Sequence, residues 1–261
     1  MRFIQELPAP VEEPLTARKW FQAYREMRKP DTLIYEDAQF VVVDLPLRPK
    51  AVRNILPRML RLEDPPTGTL IVADYDKVAG IAPYREALLL IHVKTLFGAG
   101  VHCCWIVLDD DTAIIYGREF CGYPKKWADI EYAHDEDKVS AKVSRRGVNV
   151  IEVEARRTIE VPPRPVFELR HFNAGGIGQT PWLMPIWCFK PLEIIKKTYE
   201  AELVLTLNPS HYDPIADFVG DTPETIKGRL VTSDIRGVKY FMLAGMAGFG
   251  FFLNAYNLRY R

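Results

Sequence analysis

The sequence predicts a mainly β protein, an antiparallel sheet or barrel with a few flanking helices. Three observations carry that expectation. Apolar, β-branched runs of strand length follow one another closely from residue 40 to residue 156. The gaps between them hold hairpin signals such as Asp109-Asp110-Asp111 and Arg145-Arg146-Gly147. The 261 residues, 48% hydrophobic and 26% charged, also contain enough apolar material for a sizeable core.

Residues 1–16 carry Pro8, Pro10 and Pro14 among acidic neighbours, an extended N-terminal arm suited to lying on a surface or a neighbouring subunit. The remainder, 17–261, shows no linker and reads as a single domain. Within 17–29, Trp20, Phe21, Tyr24 and Met27 recur at helical spacing, and Pro30 stops the helix. Residues 40–45 read as a strand, 49–60 as a helix, and Pro65-Pro66-Thr67-Gly68 as a turn. Strands are expected at 69–74 and 87–94, joined by 76–86, whose Gly80, Pro83 and Tyr84 argue against regular structure. Residues 101–108 and 112–116 follow as strands about the acidic turn, then 129–132, 138–145 and 148–156. In 138–145, Val139, Ala141 and Val143 alternate with polar residues, as a half-buried strand requires.

Beyond the prolines of 162–165, strands are expected at 167–172 and 200–207, with a flexible glycine stretch at 175–178, an apolar and aromatic run at 183–189 and a short turn or helix at 213–219. Residues 228–240 run into an apolar segment, 241–253. Its uncharged length between Lys239 and Asn254 is fourteen residues. A membrane helix needs ~20, so the segment is expected in the core. Its glycines do not follow a strand and open a helix, which argues against a dinucleotide site.

Lys plus Arg equals Asp plus Glu at 34 each. No net field therefore gathers nucleic acid or an anionic membrane surface. Cys103, Cys104, Cys121 and Cys188 lack Cys-x-x-Cys spacing and a nearby histidine ladder, so they read as reduced thiols with no metal site. The five histidines are scattered and read as packed or solvated. Met1-Arg2-Phe3-Ile4 is followed by Gln5, Glu6 and prolines rather than the apolar core of a secretory signal, and a cytoplasmic location is expected.

The chemistry points to Tyr116-Gly117-Arg118-Glu119-Phe120-Cys121-Gly122-Tyr123-Pro124-Lys125-Lys126-Trp127. Two adjacent lysines in apolar, strand-forming sequence oppose each other's charge. Walls of Phe120, Tyr123 and Trp127 remove the water that offsets the repulsion, and both effects favour a neutral amine. Such an amine attacks a ketone to form a Schiff base, whose iminium is an electron sink.

Gly117-Arg118-Glu119, followed after four residues by Pro124-Lys125-Lys126, resembles the active-site segment of the acetoacetate decarboxylase family. The resemblance runs from about residue 40 to residue 154, a little under half the chain. It implies a cone-shaped β-barrel, several subunits and a lyase that needs no cofactor. It also implies that Lys125 is the Schiff-base lysine and Lys126 the neighbour that lowers its pKa, the known behaviour of that enzyme. Pro83-Tyr84-Arg85-Glu86 resembles the family's upstream loop, with Glu86 as proton shuttle. Tyr84, Tyr123 and Trp127 are expected at the substrate. By likeness to aldolase-like relatives, so is Tyr256. Arg118 and Glu119 are expected to pair with each other and hold the lysine loop.

Two positions depart from the family. The best alignment puts Ala38 where an active-site arginine is expected and Leu70 near a second glutamate. Relatives that keep the lysine but lose these groups resemble aldolase–dehydratases, which join pyruvate to an aldehyde. The expected activity is thus a Schiff-base lyase on a small oxo acid, with a preference for pyruvate–aldehyde condensation over acetoacetate decarboxylation. A binding protein that has kept the barrel and lost the chemistry is the rival.

Overall fold

A computed structural model of the chain describes residues 16–18, 34–180 and 183–260. The expected arm and the expected helix at 17–29 lie outside the described residues, apart from 16–18. Strand β1 (Ile34–Pro46) leads through a short helix α1 (Pro49–Val52) to β2 (Arg61–Leu62), β3 (Thr67–Tyr75), β4 (Lys77–Val78), β5 (Tyr84–Thr95) and β6 (Gly98–Leu108). Helix α2 (Asp111–Glu119) precedes β7 (Lys125–Trp127), β8 (Asp129–His134), β9 (Lys138–Arg145), β10 (Val148–Glu160) and β11 (Arg170–Ala174). Then come β12 (Leu183–Leu207), α3 (Ile215–Phe218), β13 (Ile226–Gly248) and α4 (Phe249–Tyr260).

The strands form one sheet in the order β11-β6-β5-β3-β1-β13-β12-β10-β9-β8. Strand β11 pairs with β12 as well as with β6, placing His171 opposite both Phe189 and Val101. The strands from β11 to β12 in that order therefore close into a ring, and β10, β9 and β8 extend from β12 as a wing. Most pairs are antiparallel, as the sequence predicts. Two are parallel, β6 with β7 and β6 with β11. The first becomes possible because α2 carries the chain back alongside the last residues of β6, Ile106 to Leu108, the crossover that a parallel pair requires.

Strand alternation gives the ring two apolar faces. On β1, Ala38, Phe40 and Val42 point one way and Val41, Val43 and Leu45 the other; on β3, Ile71, Ala73 and Tyr75 oppose Leu70 and Val72. The Phe40 face gathers residues of the ring strands with Val166 and Phe167. The Val41 face is covered by the wing strands and by Phe251, Ala255 and Leu258 of α4.

Several elements differ from expectation. Residues 112–116, expected as a strand after an acidic turn, belong to α2: the Asp110 side chain accepts the Ala113 amide at 2.7 Å and caps the helix, and Asp111 lies in its first turn. The helix expected over 49–60 stops early, because Leu56, held extended before Pro57, cannot continue it. The strand expected from 167 starts at Arg170, since the amides of Val166 and Phe167 are taken by the Glu193 carboxylate at 3.3 and 2.7 Å. The strand expected at 200–207 starts much earlier and takes in the apolar run 183–189 as one strand, β12, whose register shifts around Pro191 absorb the missing donor.

The largest correction concerns 241–253. This segment continues β13 and enters α4, and only Ala247 and Phe251 of it are buried: Met242, Leu243 and Leu253 are half exposed, as is Leu183 on the paired end of β12. Apolarity alone does not force burial within one chain.

Candidate active site

Lys125 sits on β7 opposite Ile106 of β6, while Glu86 sits on β5 opposite Leu108 of the same strand. Ile106 and Leu108 both belong to the Phe40 face, so the two charged side chains meet across β6 on that face. Lys125 Nζ lies 2.7 Å from Glu86 Oε2, and both side chains are more than nine-tenths buried. The Tyr84 and Tyr123 rings wall the ammonium, with centroids 5.6 and 5.8 Å from Nζ. Tyr84 in turn contacts the Tyr35 hydroxyl at 3.2 Å. The lysine stem passes residue 117 so closely that a Cβ there would lie 2.5 Å from Lys125 Cε, so a side chain at 117 would push the stem from this position.

Lys126 points the other way. Adjacent residues of a strand face opposite sides, and Lys126 enters the Val41 face, where its Nζ donates to Asp213 Oδ1 at 2.6 Å. Trp105 Nε1 donates to the same oxygen at 2.8 Å, and Arg145 Nε lies 3.5 Å from Oδ2. Burial pushes Lys126 down to about 8 against the pull of Asp213. The expectation that the Lys126 charge presses on Lys125 is therefore corrected: the ammonium groups lie on opposite faces, and Lys126 is paired with a carboxylate.

The other expected residues divide. Arg118 Nη1 donates to Lys125 O and to Arg259 O, each at 2.8 Å. It makes no ion pair with Glu119 among the described residues; neighbours on a helix do not face each other, and Glu119 is exposed. Trp127 is 52% exposed and does not wall the lysine. Two residues further along a strand, about 7 Å, it lies past the enclosure. Tyr256 lies on α4 rather than on a last strand. Its ring packs on Phe252 and Tyr260, on the side of the helix away from the buried Phe251, Ala255 and Leu258.

Sequence reasoning missed His171, Asn173 and Asp213, all fully buried. His171 Nδ1 lies 3.0 Å from the Tyr123 hydroxyl, and its ring stacks on Phe189. Burial pushes His171 down to about 3, so the imidazole is neutral at physiological pH. Burial also pushes the Cys121 thiol up to about 11 and the Cys103 thiol well above its ordinary value, which keeps both protonated. Neither thiol is a thiolate nucleophile.

The sequence profile of the acetoacetate decarboxylase (ADC) family matches residues 13–234, most of the chain. The protein belongs to the acetoacetate decarboxylase family. Among curated family members, acetoacetate decarboxylase of Burkholderia vietnamiensis is 30% identical over 97 residues, 36% of this chain and 38% of that protein. Acetoacetate decarboxylase 3 of Mesorhizobium japonicum is 27% identical over 99 residues, 38% of each. The alignable stretch thus spans little more than a third of these relatives' own length. Solved structures share the fold over more of the chain. Acetoacetate decarboxylase from Legionella pneumophila superposes with a TM-score of 0.71 at 16% identity, covering 82% of this chain and 87% of that one. The enduracididine biosynthesis enzyme MppR complexed with pyruvate superposes with a TM-score of 0.66 at 15% identity, covering 82% and 91%.

Of the two positions that the sequence reading set against the family's arginine and second glutamate, Ala38 is buried on the Phe40 face with Lys125, so a methyl group stands there. Leu70 lies on the Val41 face.

Proposed function

We propose that the protein is a cofactor-independent Schiff-base lyase acting on a small oxo acid, with Lys125 as nucleophile. The observation that carries this reading is the enclosed pair of Lys125 and Glu86 at 2.7 Å between two tyrosine rings. Glu86 is in hydrogen-bond reach of the proton the ammonium must lose before it attacks. The amine adds to the ketone, water leaves, and the iminium draws electrons from the next bond to break. With pyruvate that bond is a methyl C–H, whose proton Glu86 takes. The enamine then adds to an aldehyde, and water leaves from the adduct.

Condensation is the reaction we favour. Ala38 offers no cation to orient the carboxylate of a 3-oxo acid, and MppR, a fold neighbour, is described with pyruvate and with the condensation product of pyruvate and imidazole 4-carboxaldehyde. Decarboxylation of acetoacetate is the second reading, supported by the names of the curated relatives. The proposed setting is a cytoplasmic homo-oligomer, the exposed Met242, Leu243 and Leu253 being the surface a second copy covers. Among the described residues no helix is long and apolar enough to cross a membrane.

The deciding experiment reduces the protein with borohydride in the presence of pyruvate or acetoacetate and maps the added mass. Labelling of Lys125 is expected, and an unlabelled lysine would leave a binding protein on this fold. Chelator should not alter the labelling. Pyruvate with an aromatic aldehyde should give the absorbance of a conjugated product, while rapid carbon dioxide release from acetoacetate without that absorbance would favour the second reading.

A further inference from the structure

Strand β11 brings two buried polar side chains to the face that carries Lys125. His171 stands opposite Val101 of β6 and Lys125 opposite Ile106 of the same strand, and Val101 and Ile106 both belong to the Phe40 face. Two residues on from His171, Asn173 shares its face by strand alternation, while Phe172 between them packs into the Val41 face. His171 and Asn173 are each 0% exposed.

Neither side chain uses its full hydrogen-bonding capacity. Asn173 Oδ1 accepts the Cys103 amide at 3.2 Å. A backbone N–H only donates, so the carboxamide oxygen must occupy that side and the nitrogen the other. There Asn173 faces the Tyr123 phenol, yet its Nδ2 makes no hydrogen bond of ordinary geometry, and His171 Nε2 has none either. A buried donor without an acceptor is costly and uncommon. This one lies against the ring that lies 5.8 Å from the Lys125 ammonium and whose hydroxyl His171 holds.

We propose that Asn173 Nδ2 donates to the carboxylate of the oxo acid held at Lys125, so that this site recognises its acid through a neutral amide in place of a guanidinium. The proposal rests on the Schiff-base reading above. It accounts for an amide nitrogen that meets the Tyr123 phenol without a hydrogen bond of ordinary geometry, and for Ala38, which carries no charge on the same face. A neutral donor orients a carboxylate without cancelling its charge. It also separates an oxo acid from a plain ketone of the same size, which leaves the amide unpaired.

Asn173→Asp tests this, because it keeps an acceptor for the Cys103 amide and turns the free donor into an oxygen. In borohydride trapping at Lys125, the half-saturating concentration of pyruvate should rise about tenfold or more, and that of acetone should change less than about twofold. Equal shifts for acid and ketone, or no shift, would overturn the proposal. The unaltered protein supplies a readout that no folding defect can blur: the Asn173 side-chain amide resonance should move on titration with pyruvate and stay in place with acetone. A resonance unmoved by pyruvate overturns the proposal as well. If Lys125 is labelled by neither compound, the Schiff-base reading fails on its own. Calorimetric titration with pyruvate then decides the amide contact: weaker binding by Asn173→Asp upholds it, and equal or absent binding in both proteins overturns it.

Discussion

Lys125 reaches Glu86 because residue 117 has no side chain. A Cβ there would lie 2.5 Å from Lys125 Cε and 2.6 Å from Cδ, although the position is helical and alanine would otherwise gain about 1 kcal/mol of helix propensity. Gly117→Ala should therefore keep the fold, the helix gain offsetting part of the crowding, yet trap ketone at least about tenfold more slowly, since a small displacement of a reacting group has that order of effect. Unchanged trapping would show that the lysine stem bends aside. Lys126 makes a different prediction. Its folded value of about 8 lies below the ordinary 10.5, so between those values the unfolded chain binds more protons and stability rises with pH. Relative to Lys126→Met, the parent should gain on the order of 3 kcal/mol across that window in urea titrations. A flat difference would mean that Asp213 cancels the effect of burial. Glu86, Tyr84, Tyr123 and Lys125 were legible because they fall in two short stretches of recognisable sequence. His171 and Asp213 were not: they join Tyr123 and Lys126 across 48 and 87 residues, and no local spacing records such a meeting.

Among the elements, α2 shows where local pattern misleads. Thr112, Ile114 and Ile115 favour a strand by shape, but Asp110 satisfies an orphan amide at the helix start and the helix wins. Asp110→Ala should cost about 1 kcal/mol. It should also speed hydrogen exchange in β7, because Arg118 at the far end of α2 holds the Lys125 carbonyl. Exchange that quickens in α2 alone would mean the strand is held without it. Strands β3, β5, β6, β8, β9 and β10 were readable, since alternation and turns are local properties, whereas the short β4 and β7 carry too few residues to show either. The long β12 was not readable, because its bulges around Pro191 are set by pairing with β13 rather than by composition.

Across the whole molecule, two fully buried histidines set an acid limit. His102, whose Nδ1 lies 2.7 Å from Phe172 O, is pushed by burial down to about 4 and His171 to about 3, both from an ordinary 6.5. Below 6.5 the unfolded chain takes up protons that the fold refuses, so this stability is complete above pH 6.5 and is lost as the pH falls. Between roughly pH 4 and 6 the free energy of unfolding should drop by about 2.7 kcal/mol per pH unit, one proton's worth for each histidine. Replacing His102 by Gln should halve that slope. A slope unaffected by the replacement would place the acid sensitivity in the carboxylates.

The five residues of β11 join β6 on one side and β12 on the other, tying together positions 101, 171 and 189. Contacts this distant along the chain are late to form, because the loops between them must first be closed. A chain still emerging from synthesis, or one caught half-assembled, has Lys125 but not the wall that bears His171 and Asn173. In that state the amine is an ordinary solvated lysine among many. The wall that sets it apart stands on the same short strand that closes the ring, so without that strand both the ring and this side of the site are missing.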